Sequence, residues 1–271
     1  MWQRTIDCLG FAVGVRTDAP AIVPLLEGVL RSYAEATRPA EIAYVLSATG
    51  PQLVRDDQLL STWEVPLELV AAFEIDLYNS VVLRTPGVPL HSGAITDGEG
   101  RALIFAGRSG AGKSTLMRTL LARGFRYLSE ECNVLLGEQR ARGLARALNI
   151  DDPLLPVPAG YTCDRYAFRP GRVTQMRMFH PPESQIWRGD ARAVGVVAIT
   201  HAPDADNELV SLSSGESLTA LWPAMFRHEP EMLGRIPAAF DSVPTWRLHT
   251  STPEHALEQI TRLAETLGLR R

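Results

Sequence analysis

The stretch that decides the fold of this chain is Ala102-Leu103-Ile104-Phe105-Ala106 followed by Gly107-Arg108-Ser109-Gly110-Ala111-Gly112-Lys113-Ser114. The apolar run predicts a buried strand, and residues 114–123 predict the helix that follows the glycines. The second part matches the pattern Gly-x-x-x-x-Gly-Lys-Ser, in which backbone N–H groups surround phosphate oxygens. The order of strand, glycine loop and helix therefore predicts a site for the phosphates of a nucleoside triphosphate.

Lys113 is the single lysine of the chain, and the remainder of the 27 Lys and Arg residues are arginine. A compact ammonium on a thin stem reaches between the β- and γ-phosphates, where a planar guanidinium is too bulky. A chance glycine turn does not explain this exception. The residues predicted to contact the nucleotide are Gly107, Arg108, Ser109, Gly110, Ala111, Gly112, Lys113, Ser114 and Thr115.

Composition excludes several classes of function. The chain has 271 residues, is 45% hydrophobic and carries a formal net charge of -4, without any run rich in Lys or Arg. This argues against general binding to nucleic acid or to a membrane surface. The cysteines Cys8, Cys132 and Cys163 are odd in number and widely spaced, which favours reduced thiols. No signal peptide or membrane span is visible in the sequence, so we expect a cytoplasmic protein.

The remaining pattern predicts two domains, a small α/β domain over residues 1–86 and a P-loop domain over residues 87–271. Helices are predicted over residues 21–33, 67–82, 114–123, 218–226 and 253–267, the last with Thr252 as N-cap. Strands are predicted over residues 11–15, 42–46, 52–54, 90–96, 101–105, 125–128, 193–200 and 245–249. Residues 137–190 are rich in Pro, Gly and Arg, and predict loops and short strands.

Two adjacent carboxylates, Glu130 and Glu131, follow the strand that comes after the glycine loop and its helix. A crossover this short predicts that the two strands are parallel and close, with the carboxylates at the same sheet edge as the loop. There, one carboxylate can hold Mg²⁺ and a second can accept a proton from an attacking hydroxyl. The alternative is that two solvated acids end a strand.

The run from His91 to Glu131 resembles the catalytic domain of bacterial HPr serine kinases and of HPr-kinase-related proteins, whose fold is shared with phosphoenolpyruvate carboxykinase. The matching positions are His91-Ser92-Gly93, residues 107–114 and residues 126–131. The resemblance implies an α/β P-loop kinase that uses ATP and Mg²⁺ and acts on a hydroxyl. It also implies that Glu130 is the general base, that Glu131 and Ser114 hold the metal, and that His91 lines the site with Lys113.

The chain departs from the family pattern at two places. Glu-Glu stands where the family has Asp-Asp, and the second family signature, Glu-x-Arg-Gly-x-Gly, is matched only by the fragment Trp187-Arg188-Gly189. The acceptor implied is a serine of a peptide or small protein, in some relatives a natural-product precursor such as a lasso peptide. A small-metabolite kinase and an ATP-binding regulatory or scaffold protein remain alternatives. Related kinases assemble into hexamers, which makes a homo-oligomer an expectation.

Two further features are open at the level of sequence. The serine run at residues 212–216 echoes a transporter-ATPase signature, but the acidic strand end that should follow is absent, so it predicts a helix start capped by Ser213 or Ser214. Five arginines in the Pro- and Gly-rich stretch are candidates for contact with phosphate or an acidic substrate, and none is singled out: Arg142, Arg146, Arg172, Arg177 and Arg188.

Overall fold

The computed structural model describes residues 1–47, 52–62, 66–150, 152–167, 175–202, 204 and 206–270. The chain forms two compact units, and the mixed α/β class predicted from the sequence is confirmed. The first unit combines Met1–Arg84 with Ala145–Pro182, and the second combines Thr85–Leu144 with Glu183–Arg271. Residues 145–182, which the sequence pattern assigns to the P-loop domain, therefore group with the N-terminal residues.

The elements of the first unit are β1 (Trp2–Cys8), β2 (Phe11–Thr17), α1 (Val23–Leu30), β3 (Ala34–Glu35), β4 (Ile42–Ser47), β5 (Gln52–Arg55), β6 (Gln58–Thr62) and α2 (Pro66–Arg84). The second unit begins with β7 (Val88–Thr96), β8 (Arg101–Ala106), α3 (Lys113–Ala122), β9 (Arg126–Ser129), β10 (Cys132–Gly137) and β11 (Arg140–Gly143). The chain then returns to the first unit with β12 (Leu148–Ile150), β13 (Thr162–Ala167) and β14 (Gln175–His180). The second unit ends with β15 (Ala191–His201), β16 (Leu209–Leu212), α4 (Ser214–Leu221), α5 (Pro230–Leu233), α6 (Ile236–Phe240), β17 (Thr245–Thr250) and α7 (Pro253–Thr266).

The first unit contains a six-stranded sheet in the order β3-β1-β2-β4-β5-β6 and a three-stranded sheet in the order β12-β14-β13. Alternate residues of the larger sheet are buried, as expected for a sheet with one covered face. The ring of Tyr44 on this face packs edge-on against Phe73 of α2, with 5.0 Å between the ring centroids. Ion pairs of Arg146 with Glu74 and of Arg31 with Asp164 attach residues 145–182 to the N-terminal segment.

A buried histidine, His180, connects the two parts of the first unit. Its Nδ1 lies 2.8 Å from the Ser32 hydroxyl, and its Nε2 lies 3.1 Å from Asp164 Oδ2. Burial lowers the pKa of His180 to about 4, although Asp164 acts to raise it, and the nearby Arg31 lowers it further. The folded first unit therefore holds this imidazole neutral at neutral pH.

The pH dependence of the first unit should follow from this histidine. An unfolded histidine takes up a proton near its ordinary pKa of about 6.5, whereas folded His180 does so near pH 4. Neutral His180 therefore contributes fully to the stability of the folded first unit above pH ~6.5. This contribution is lost as the pH falls towards 4. Hydrogen exchange of β14 amides, corrected for intrinsic rates, should show lower protection at about pH 5 than at about pH 7. The matched variant His180→Gln should lack this difference, and an equal loss of protection in the variant would contradict the assignment.

The second unit contains a sheet in the order β11-β10-β7-β8-β15-β17-β16, with β9 paired to β7. Strands β8, β15 and β17 are parallel neighbours, and the other main pairings are antiparallel. A core on one face joins strand residues such as Ala94 to residues of α4, α5 and α6. Gly93, the residue before Ala94 in β7, approaches Met117 of α3, so α3 covers the opposite face. Strand β8, which precedes the glycine loop, thus lies in the middle of a sheet covered on both sides.

Several local predictions are confirmed. α2, α3 and α7 lie close to the predicted ranges, and the Thr252 hydroxyl accepts a hydrogen bond from His255 N as the N-cap of α7. Ser213 caps α4, with its N–H donating to Glu216 Oε2 at 2.9 Å. The helix predicted over residues 218–226 is instead α4 followed by a 3-10 turn at Trp222–Ala224, because Pro223 cannot continue the α-helical hydrogen bonds. In the part of the chain described, no helix has the length and apolar character needed to cross a bilayer.

Candidate active site

The glycine loop, residues 107–112, joins the end of β8 to the first turn of α3. Gly110 and Gly112 have φ values of +84° and +86°, which a side-chain-bearing residue adopts only with strain. Gly107 is required for a different reason, because a Cβ at this position would lie 2.6 Å from the Ile199 carbonyl oxygen of β15. The turn therefore requires glycine at two of these positions, and the close approach of β15 requires it at the third.

The loop has the features that a phosphate needs. A Cβ added to Gly110 or Gly112 would meet nothing within 4 Å, so there is open space beside these two residues. Gly112 is the N-cap of α3 and provides no side-chain acceptor for the first N–H groups of the helix. Free N–H groups at the positive end of a helix favour an anion. The residues present thus fit the phosphates of a nucleotide.

Lys113 lies over the loop and is only 7% exposed. Its Nζ donates hydrogen bonds to the carbonyl oxygens of Gly107 at 2.7 Å and of Arg108 at 3.0 Å. Burial lowers the pKa of Lys113, while the negative charges of Glu131 and Glu130 act to raise it. The ammonium and both carboxylates therefore share one electrostatic environment.

The carboxylate pair, Glu130 and Glu131, forms a tight bend between β9 and β10. The buried Ser129 hydroxyl donates to Cys132 O at 2.9 Å and accepts from the N–H groups of Cys132 at 3.2 Å and Glu131 at 3.3 Å. Glu130 is 7% exposed, and the Glu131 side chain is more open, with 33% exposure. Ser129 thus holds the backbone that presents the two acids, and sequence analysis did not select it because it carries no recognisable motif.

The strand order corrects one prediction about this pair. β8 and β9 are parallel in direction, but they are not neighbours, because the antiparallel strand β7 lies between them. Ser92 of β7 is opposite Ala106 at the start of the loop, and its N–H donates to Glu131 O at 3.2 Å. The carboxylates still emerge at the edge where the loop begins, about two strand spacings away, or roughly 10 Å.

His91 of β7 lies beside the carboxylate pair. Its Nδ1 is 3.4 Å from Glu131 Oε1, and its ring packs edge-on against Phe226 with 5.7 Å between centroids. Phe226 is held in place because its N–H donates to Pro89 O at 3.2 Å. Sequence analysis did not select Phe226, since nothing local indicates that residues after α4 return to β7.

A buried amide supports the strand on which His91 is placed. Asn133 Nδ2 donates to the carbonyl oxygen of Ser92 at 2.9 Å and to its hydroxyl at 3.0 Å, and the hydroxyl donates to Leu90 O. Both side chains are fully buried. Hydrogen bonds of this kind hold β7 and β10 in register next to the site.

Ser114 and Thr115, the other two residues predicted to contact the nucleotide, lie in the first turn of α3 and are half-buried. Thr115 Oγ1 accepts a hydrogen bond from Arg118 Nη2 at 3.4 Å. Among the described residues there is no group of three or more His, Cys, Asp or Glu side chains placed to hold a metal ion. A magnesium ion at Ser114 and Glu131 would therefore need phosphate oxygens and water as its other ligands.

Four of the five candidate arginines are engaged within the chain. Arg142 pairs with Asp190 at 2.6 Å, Arg188 pairs with Glu183 at 2.7 Å, and Arg146 pairs with Glu74. Arg177 donates to three backbone carbonyls, including Leu155 O at 2.5 Å. Arg172 lies outside the described residues.

Comparisons with known proteins give a distant likeness among solved structures and none by sequence. No family model matches the chain, and no curated protein matches it by sequence. A solved structure of the Hpr(Ser) kinase/phosphatase from Coxiella burnetii matches with a TM-score of 0.30 and 10% identity, covering 66% of this chain and 98% of that one. The likeness is distant and assigns no role to any residue of this chain.

Proposed function

We propose that this chain is an ATP- and Mg²⁺-dependent kinase that transfers the γ-phosphoryl group to a hydroxyl, a serine of a peptide or small protein. The proposal rests on the placement of Lys113 relative to the carboxylate pair. Lys113 lies on a glycine loop at a helix N-terminus, and the two carboxylates, which act electrostatically on it, lie on the other side of strand β7. A cationic phosphate site next to two acids supplies both a place for a donor and a base for an acceptor.

The donor side is formed by the loop and Lys113. The loop N–H groups and the start of α3 would bind the phosphate oxygens. Lys113 Nζ, now bonded to Gly107 O and Arg108 O, would exchange these carbonyls for oxygens of the β- and γ-phosphates within the same reach. Ser114 and Glu131 would hold the magnesium ion, which neutralises charge on the phosphates when bound.

The acceptor side is formed by Glu130. Its carboxylate takes the proton of the acceptor hydroxyl as the acceptor oxygen forms a bond to the γ-phosphorus. The bond from that phosphorus to the bridging oxygen breaks, and its electron pair stays on the ADP that leaves. His91 restrains Glu131 through the 3.4 Å contact, so its role in this scheme is positioning.

The test is to incubate the purified chain with γ-labelled ATP and an extract of the source organism, and to identify labelled products by mass spectrometry. A labelled polypeptide should appear with the wild type and with Glu231→Gln, an exposed acid on α5, but not with Glu130→Gln. A labelled small molecule would favour the metabolite kinase. Confirmed ATP binding without any labelled product would overturn the kinase and favour the regulatory protein.

A further inference from the structure

A cleft of about 480 Å³ lies beside the glycine loop, and none of the residues assigned to catalysis lines it. Three parts of the second unit form its wall: the start of the loop, the end of β15, and the segment from α4 into the 3-10 turn. The lining residues outside β8 and the loop are Ile199, Thr200, His201, Ala220, Pro223 and Ala224. Its volume falls in the range of small-molecule sites, which is about 300–1,000 Å³.

The sheet order shows on which side of the loop the cleft lies. β8 has β7 on one edge, leading to the carboxylate pair, and β15 on the other edge. Ala198 of β15 is opposite Ala106, so Ile199, Thr200 and His201 continue past the end of β8 and flank the loop. The loop therefore separates the carboxylate pair from the cleft. A nucleotide whose terminal phosphate faces the carboxylates would extend its other end towards β15.

The cleft has the chemistry of a site for an amphipathic ligand. Ile199, Ala220, Pro223 and Ala224 give an apolar wall, on which a planar base can pack. His201 supplies a defined polar group, because its Nδ1 lies 3.1 Å from Thr250 O. A carbonyl oxygen only accepts hydrogen bonds, so Nδ1 carries the proton. In the neutral ring, Nε2 is then an acceptor available to a ligand.

We propose that this cleft binds the nucleoside part of the donor nucleotide, and that His201 Nε2 accepts a hydrogen bond from an N–H or O–H of that nucleoside. This rests on the proposed function, because it takes the loop as the phosphate site, but it makes a separate claim about the neighbouring wall. His201 would be a specificity-determining residue on a strand end that the glycine motif does not include.

The experiment is isothermal titration of the full chain with ATP and with inorganic tripolyphosphate, both in the presence of Mg²⁺. Ala220→Phe fills the cleft and should weaken ATP binding by about tenfold or more, since the nucleoside loses its apolar contacts. His201→Ala should weaken it by roughly three- to tenfold, the effect of one neutral hydrogen bond. Neither change should alter the affinity for tripolyphosphate. Thr219→Phe, an exposed position on α4 that does not line the cleft, is the matched control and should bind both ligands normally.

The two ligands separate failure of this inference from failure of the proposed function. Unchanged ATP affinity in both cleft variants, with tripolyphosphate still bound, would overturn the nucleoside site and leave the phosphate loop in place. Equal loss of both ligands would overturn it too, because the damage would then lie in the loop. If the wild type binds neither ligand, the proposed function itself fails. His201 is exposed, so His201→Ala keeps the test valid even if Ala220→Phe disturbs packing.

Discussion

Lys113→Met is expected to reduce kcat/KM for phosphoryl transfer on the order of 10³-fold and to weaken ATP binding strongly. Methionine keeps the length and much of the apolar stem but removes the charge that would neutralise the phosphate oxygens. Electrostatic groups aimed at developing charge are worth about 10²- to 10³-fold each in a site shielded from water. Steady-state kinetics and equilibrium binding of ATP measure the two effects.

Lys113→Arg is the control for Lys113→Met, because it changes the shape of the side chain and keeps its charge. Lys113 is 7% exposed and its Nζ fits between two loop carbonyls, so a planar guanidinium has little room there. We expect Arg to recover only a small part of the lost activity. Near wild-type activity in this variant would show that charge alone matters and that the shape argument for the single lysine is wrong.

Glu130→Gln is expected to lower kcat by about 10²- to 10⁴-fold while the Kd for ATP changes by less than about threefold. The amide keeps the volume at the bend but cannot accept the proton of the acceptor hydroxyl. Because Glu130 acts to raise the pKa of Lys113, its loss lowers that pKa further, so the comparison belongs at neutral pH or below. Pre-steady-state phosphoryl transfer, measured beside ATP binding, separates the two effects.

Glu131→Gln distinguishes the two acids. Under the assignment proposed here, it should raise the Mg²⁺ concentration needed for half-maximal activity and leave residual transfer at saturating Mg²⁺. A Mg²⁺ requirement altered by Glu130→Gln and unaffected by Glu131→Gln would mean that the two roles are exchanged. The two acids differ in their surroundings, because Glu131 is the more exposed one and lies beside His91.

Local features of this chain were predictable from sequence, because the interactions that set them are local. The glycine loop, the start of α3, the Thr252 cap and the Ser213–Glu216 box each depend on residues within a few positions of one another. Such patterns predict an element and its ends without knowledge of the remaining chain. They also predicted that the carboxylate pair lies at the sheet edge where the glycine loop of Lys113 begins, and the two carboxylates do act on the Lys113 ammonium.

The features that sequence did not predict depend on contacts between distant positions. β7 takes the place between β8 and β9 through hydrogen bonds that no pattern in any one strand specifies. Residues 145–182 join the first unit through pairs such as Arg31 with Asp164, which lie far apart along the chain. Phe226 reaches His91 only because the chain returns to β7 after α4. Choice of partner over such separations is set by global packing, not by local propensity.

The position of β7 has a mechanical consequence. Ala94 is paired with Ile104 of β8 on one edge and with Ser129 of β9 on the other, so the strand is fixed from both sides. A shift or bend of β7 would break its hydrogen bonds to β8 and to β9 at the same time. The distance between the glycine loop and the carboxylate pair is therefore set by main-chain hydrogen bonds. A ligand bound at the glycine loop should therefore leave the distance between Ala106 and Glu131 unchanged.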